Sequence, residues 1–185
     1  MRLFPAVGGP VQLWYPIVQK LLSTATGGDP QLLFAGVVDA YPYDRPHAQD
    51  WHRDGQALSS DPAVQLPSHC LNLFIPLVDI TEEVGPTEFW PGTHIESTFH
   101  ALKKEQKVDK TPTPEATADA ATATILAPAG SVILFDYRTI HRGGANKSGK
   151  QRRVLYLTYA TKYVFTTDRR LRLLCYDWTA KKRKR

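Results

Sequence analysis

A chain of 185 residues, 42% hydrophobic and 22% charged, has the make-up of an ordinary globular protein and can bury a core without staples. No apolar run reaches the roughly 20 residues that cross a bilayer, and two cysteines, Cys70 and Cys175, do not make a secreted disulfide scaffold. The formal net charge of +5 comes from the last five residues, Lys181 to Arg185, without which basic and acidic residues balance, so a domain-wide nucleic-acid footprint is not expected.

Residues 10–24 place Val11, Trp14, Ile17, Val18, Leu21 and Leu22 at helical spacing. Pro16 lies inside that pattern and predicts a short or kinked helix, ended by Gly27-Gly28-Asp29-Pro30. The following segments read as strands: 32–40, 49–53, 69–79, 87–90 after the Gly85-Pro86 turn, 122–127, 131–137 and 152–161. Lys103 to Ala123 begins charged and turns rich in Ala, Thr and Pro, the pattern of a mobile loop between strands. No helical period separates the strands, so parallel βαβ winding is not expected. Short strands punctuated by Gly and Pro instead predict a mainly β sandwich, jelly roll or barrel.

We expect one domain over residues 1–180, with 181–185 as a basic tail. The tail reads as a solvated end, with a nuclear-import signal or polyanion contact as the alternative. The opening Met1-Arg2-Leu3-Phe4-Pro5 has no signal-peptide pattern. The expected location is therefore cytoplasmic, or nuclear through the tail, with no membrane partner.

Trp51-His52-Arg53-Asp54-Gly55 is the first informative motif. In a strand, alternate side chains share a face, so His52 and Asp54 project together and can grip one ion. A His-x-Asp triplet alone is weak, since it arises often by chance. A third ligand strengthens it. Gly130 to His141 reads as an apolar strand ending in a histidine, followed by Gly143-Gly144. That puts His141 at a barrel mouth; the plainer alternative is a histidine that caps a strand. Two histidines and a carboxylate make the facial triad, which leaves open positions on an octahedral Fe(II).

Eleven residues on, Arg152 and Arg153 open an otherwise apolar strand. Residues 152, 154 and 156 share one face and 153, 155 and 157 the other. A guanidinium among apolar neighbours is costly unless it meets an anion, and arginine suits bidentate capture of a carboxylate. One of the pair faces solvent; Arg152 is the inward candidate.

Four pieces together resemble the phytanoyl-CoA dioxygenase family: Trp51 to Gly55, Pro76-Leu77-Val78-Asp79, Gly85 to His94, and His141 to Arg152. The likeness covers about residues 32–160, in the family's order. It implies a cupin-like double-stranded β-helix with a short N-terminal helix, and an Fe(II) centre that uses 2-oxoglutarate and O2. In such enzymes 2-oxoglutarate is decarboxylated to succinate and the substrate is most often hydroxylated. Halogenating relatives replace the carboxylate ligand by a small residue, so Asp54 argues against halogenation.

Carried over residue by residue, His52, Asp54 and His141 match the iron ligands, and Arg152 the partner of the distal carboxylate. Gln49 and Thr87 fall where some relatives contact 2-oxoglutarate. Trp51, Asn72, Trp90, Tyr137 and Arg138 are candidates for a substrate pocket, though large aromatics belong more often to a core. His94 is expected to lock the turn after Pro91-Gly92. Only 51 residues precede His52, fewer than in relatives, which implies a compact member or a shortened chain. The expected substrate is a small organic molecule, lipid-like or a secondary metabolite. The alternative is a metal-binding or inactive jelly roll with no 2-oxoglutarate turnover.

Overall fold

The computed structural model describes residues 11–26, 29–42 and 47–161; Cys175 and the basic tail lie outside them. Helix α1 (Val11–Thr26) runs through Pro16. Trp14, Val18 and Leu22 form its buried stripe, while Ile17 and Leu21 stay exposed. None of the helices among the described residues is long and apolar enough to cross a membrane.

Seven strands follow: β1 (Gln31–Ala40), β2 (Cys70–Pro76), β3 (Thr87–Trp90), β4 (Ala123–Thr124), β5 (Ile133–Asp136), β6 (Ile140–Gly143) and β7 (Arg152–Ala160). They form two antiparallel sheets, one ordered β1-β7-β2-β5 and the other β4-β3-β6. This is the mainly β, jelly-roll architecture expected. The period of two decides what each face meets. Leu71, Leu73, Leu157 and Tyr159 turn outward beneath α1. Phe74, Ile133 and Val154 turn inward and meet Phe89 of the smaller sheet, with Ile80, Val84 and Ala127 closing the layer.

Residues 49–54 differ from the strand expected there. They lie along the free edge of β6 as an irregular fourth strand of the smaller sheet. Gln49 N donates to Gly143 O at 2.9 Å, His52 N to His141 O at 3.0 Å, His141 N to His52 O at 2.9 Å and Asp54 N to Tyr137 O at 3.1 Å. Only His52 and His141 pair there as an isolated bridge. The run from Gly130 to His141 is likewise two strands, broken by a turn in which Thr139 N donates to Asp136 O at 2.9 Å. The strand expected over 122–127 shrinks to β4 and a bridge from Ala127 to Ile80.

The largest departure is helix α2 (Glu96–Gln106), where no helix was expected. Glu96 and Leu102 are its buried residues, so the apolar stripe that announces a helix is missing from its sequence. It covers the outer face of the smaller sheet, where Leu102 and Phe99 meet Trp51, Trp90 and Ile140. The helix ends on Lys107 in the left-handed region at φ 54°. The stretch after it is tied back rather than loose. Gln106 Nε2 donates to Thr113 O at 2.7 Å and Thr117 Oγ1 at 2.8 Å, and Thr113 N donates to Gln106 Oε1 at 2.9 Å. Pro112 and Pro114 are buried, the latter in a 3-10 turn (Pro114–Ala116).

A tight crossing brings β3 and β6 together. Gly85 has φ +74°, and a Cβ there would stand 2.4 Å from Gly144 O. Only glycine fits this conformation and this space together.

Candidate metal centre

The bridge between His52 and His141 brings their imidazoles together, with ring centroids 4.5 Å apart. One ligand atom from each of His52, Asp54 and His141 lies within 4.8 Å of the others, the one such group of three found among the described residues. His52 Nε2 stands 3.6 Å from Asp54 Oδ1, and His141 Nε2 stands 3.5 Å from Asp54 Oδ2.

Both rings are held the same way. His52 Nδ1 lies 2.8 Å from Asp50 O and His141 Nδ1 lies 3.0 Å from Thr139 O, each a carbonyl two residues earlier. A carbonyl can only accept, so each Nδ1 carries the hydrogen and each Nε2 keeps its lone pair toward the carboxylate. An Nδ1–H to a backbone carbonyl is a common device for aiming a ligating imidazole. Burial pushes the His141 pKa below its ordinary value, against an upward pull from Asp54, which favours the neutral ring a metal requires. Phe74, Phe89 and Phe135 stand around that ring with centroids 6.3, 5.9 and 5.0 Å away.

Asp54 is aimed by neighbours from the larger sheet. Asn72 Nδ2 donates to its Oδ2 at 2.6 Å, and Tyr156 Oη donates to the same oxygen at 3.0 Å. Thr158 Oγ1 donates in turn to Asn72 Oδ1 at 2.9 Å. Burial, reinforced by the Asp54 charge, raises the Tyr156 pKa and keeps that donor protonated. Two imidazole nitrogens and one carboxylate suit a divalent ion such as Fe(II); the residues present fit that group.

Arg53, between two of the donors, points away from them. Its guanidinium pairs with Glu96, donates to Arg138 O and lies 4.0 Å from the Phe99 ring centroid. Glu96 is 3% exposed, so α2 is bolted to the His-x-Asp segment. At Gly55, a Cβ would lie 1.8 Å from Tyr137 Cε2; the bare backbone lets that ring pass.

Arg152 faces inward and is 5% exposed. Its Nε has no hydrogen-bond partner, and its Nη1 reaches Gly144 O at 3.4 Å. Among the described residues no carboxylate lies within ion-pair distance of it, and burial pushes its pKa down. It borders a cavity of about 170 Å3 together with Tyr41, His47, Gln49 and Asn146. Arg153 points outward, 3.3 Å from Asp39. Gln49 lines the cavity but spends its Oε1 on Gly143 N at 2.9 Å. Thr87 pairs with Gly143 in the β3–β6 register and is half-buried.

The remaining candidates part company. Asn72 lies at the centre, through Asp54. Trp51 borders a different cavity of about 600 Å3; its Nε1 donates to Glu115 Oε1 at 3.0 Å, and the Arg142 guanidinium covers its ring at 4.3 Å. Trp90 lies in the apolar cluster under α2. Tyr137 Oη donates to Gln56 O at 3.0 Å and meets His69 Nε2 at 2.9 Å. Arg138, 1% exposed, is spent on Asp136 and on Leu66 O. The turn after Pro91-Gly92 is locked by Thr93 instead of His94: Thr93 Oγ1 donates to Trp90 O at 2.7 Å and accepts from Ile140 N at 2.9 Å.

Sequence reasoning gave no role to Tyr156, Thr158 or Glu96. Tyr156 had a signal, since it shares the Arg152 face four residues on.

Known proteins carry the same arrangement of strands. AviO1 from Streptomyces viridochromogenes Tue57 superposes with a TM-score of 0.57 over 78% of this chain at 24% identity. The epimerase SnoN, in complex with Fe3+, alpha ketoglutarate and nogalamycin RO, gives 0.54 over 84% at 19% identity. EvdO2 from Micromonospora carbonacea var. aurantiaca, complexed with 2-oxoglutarate, gives 0.54 over 78% at 18% identity. At these identities the likeness is one of fold, and this chain spans 57, 60 and 58% of their respective lengths. The sequence signature of phytanoyl-CoA dioxygenases matches residues 22–154, a stretch that holds all three donors and Arg152. The chain belongs to the phytanoyl-CoA dioxygenase family.

Proposed function

We propose that this chain is an Fe(II)- and 2-oxoglutarate-dependent dioxygenase that hydroxylates a small organic substrate. One oxygen atom of O2 goes to the substrate and the other to succinate, with release of CO2. The observation that carries this reading is the convergence of His52 Nε2, Asp54 and His141 Nε2 within 4.8 Å, with both Nδ1 atoms already committed to carbonyls.

Bound Fe(II) would supply the redox chemistry with O2, and three protein donors leave coordination positions for cosubstrate and oxidant. The chain's residues do the rest. His52, Asp54 and His141 hold the ion, while Asn72 and Tyr156 fix the carboxylate between them. Arg152 meets the far carboxylate of 2-oxoglutarate: a buried guanidinium with an unpartnered Nε is a site awaiting an anion. Gln49 and Thr87 border that end. The phenylalanines around His141 exclude water from one side.

Some neighbours are named for other outcomes: SnoN as an epimerase and SnoK as a carbocyclase. The test is succinate release from 2-oxoglutarate with Fe(II) and ascorbate, together with 2-oxoglutarate binding to the anaerobic Fe(II) protein. Iron bound without any 2-oxoglutarate signal would leave a metal-binding jelly roll instead.

A further inference from the structure

Asp54 also forms part of the wall of a cavity of about 690 Å3 between residues 55–60, α2 and the stretch that follows α2. The walls are somewhat more polar than apolar. Gln56, Ser59, Ser60 and Thr111 present amide and hydroxyl groups, against Leu58 and Phe99 as the larger apolar contributors.

The fixed charges of the lining balance, Arg53, Lys103 and Lys110 against Asp54, Glu96 and Asp109, until an ion takes up Asp54. Arg53 is neutralised by Glu96, and Asp54 is committed to the metal. The metal with Asp54, 2-oxoglutarate and Arg152 would sum to zero. Besides His100, which lies 3.9 Å from Glu96, what remains is Lys103 and Lys110 against Asp109. Lys103 Nζ donates only to the backbone carbonyl of Asp109 and lies 5.9 Å from the Phe99 ring centroid. Neither lysine has a carboxylate within ion-pair distance among the described residues. Lys110 and Thr111 also border the cavity beside Trp51 and Arg142.

A fatty chain entering this cavity would strip water from hydroxyls and ammonium groups and offer nothing in return. A molecule with hydroxyls and an anionic oxygen group would satisfy them. Sites built from polar groups also reject analogues that lack the matching group.

We propose that the substrate is a small hydroxylated anion whose phosphate or carboxylate is held by Lys103 and Lys110. The proposal rests on the metal reading, since it takes Asp54 both as a ligand and as part of the cavity wall.

The test uses the full chain loaded with Mn(II) and 2-oxoglutarate, and reads paramagnetic broadening of probe resonances by NMR. The probes are glucose 6-phosphate, gluconate, glucose and octanoate. Glucose 6-phosphate or gluconate should be broadened at least tenfold more strongly than glucose or octanoate, and which of the two wins tells phosphate from carboxylate. The K103E/K110E variant should weaken that probe at least tenfold, with Mn(II) affinity unchanged. Octanoate broadened as strongly as the hydroxylated anions would overturn the proposal, as would equal binding by wild type and the charge-reversed variant. Failure of the wild type to bind Mn(II), read from the free-ion EPR signal, would sink the metal reading itself and this inference with it.

Discussion

Arg152→Met should make the protein more stable and abolish its response to 2-oxoglutarate. The guanidinium is 5% exposed, its Nε has no partner and its Nη1 makes one long hydrogen bond to Gly144 O. Methionine keeps most of the volume and removes the charge. Exchanging a buried ion pair for apolar groups of similar volume is neutral or gains about 1–4 kcal/mol, and an unpaired guanidinium has no Coulombic attraction to forfeit. The lower part of that range applies because Arg152 borders a cavity instead of being sealed in the core. About 1–2 kcal/mol in a chain of 185 residues raises Tm by roughly 2–8 °C. The Mn(II)-loaded wild type should gain about 2.7 kcal/mol when 2-oxoglutarate is present at about 100 times its Kd, and the variant nothing. Thermal unfolding with and without 2-oxoglutarate measures both. Arg153→Met is the control: its exposed pair with Asp39 is worth at most about 1 kcal/mol. A variant at 152 that melts earlier without 2-oxoglutarate, or that still gains with it, would refute the reasoning.

Three more outcomes are expected. Asp54→Ala should abolish succinate release and weaken Mn(II) binding, measured by EPR titration, by more than the roughly 10–100-fold that orienting residues cost. Asn72→Val should fall inside that range, since it removes the 2.6 Å donor to Asp54 and spares the ligands; unchanged Mn(II) affinity would remove Asn72 from the centre. The third concerns pH. His69 is pushed from 6.5 down to about 4, first by burial and then by Arg138. The unfolded chain therefore takes up a proton below pH 6.5 that the folded chain refuses until about pH 4. Stability from this group is complete above pH 6.5 and declines by about 3 kcal/mol as pH falls through that window. Urea unfolding at pH 7 and pH 4.5 should show the loss, and His69→Phe should shrink it.

What the sequence revealed depended on how regular each piece was. His52, Asp54 and His141 were readable as candidates because a His-x-Asp triplet, a histidine closing an apolar run and the family resemblance pointed the same way, although the segment carrying His52 is barely a strand. Arg152 was readable because a charge inside an apolar strand needs a reason. Helix α2 was not: Leu102 is its one buried apolar residue, and what holds it is the long-range contact of Arg53 with Glu96. The break between β5 and β6 was hidden too, because the apolar run continues through a turn set by Thr139 and Asp136. The clasp of Asn72, Tyr156 and Thr158 on Asp54 depends on the registers of β2 and β7, which a sequence does not print.

The paired carbonyl anchors on the two imidazoles carry a last consequence. Both Nδ1 bonds that aim His52 and His141 are made inside the chain, so on the proposed reading the donors would be assembled at folding and an arriving ion would have little left to organise. Uptake then resembles a key entering a finished lock, its pace set by how fast the ion sheds hydration water. A chelator should empty the lock and a metal buffer refill it with no change in far-UV circular dichroism, unlike small zinc domains that unravel when stripped.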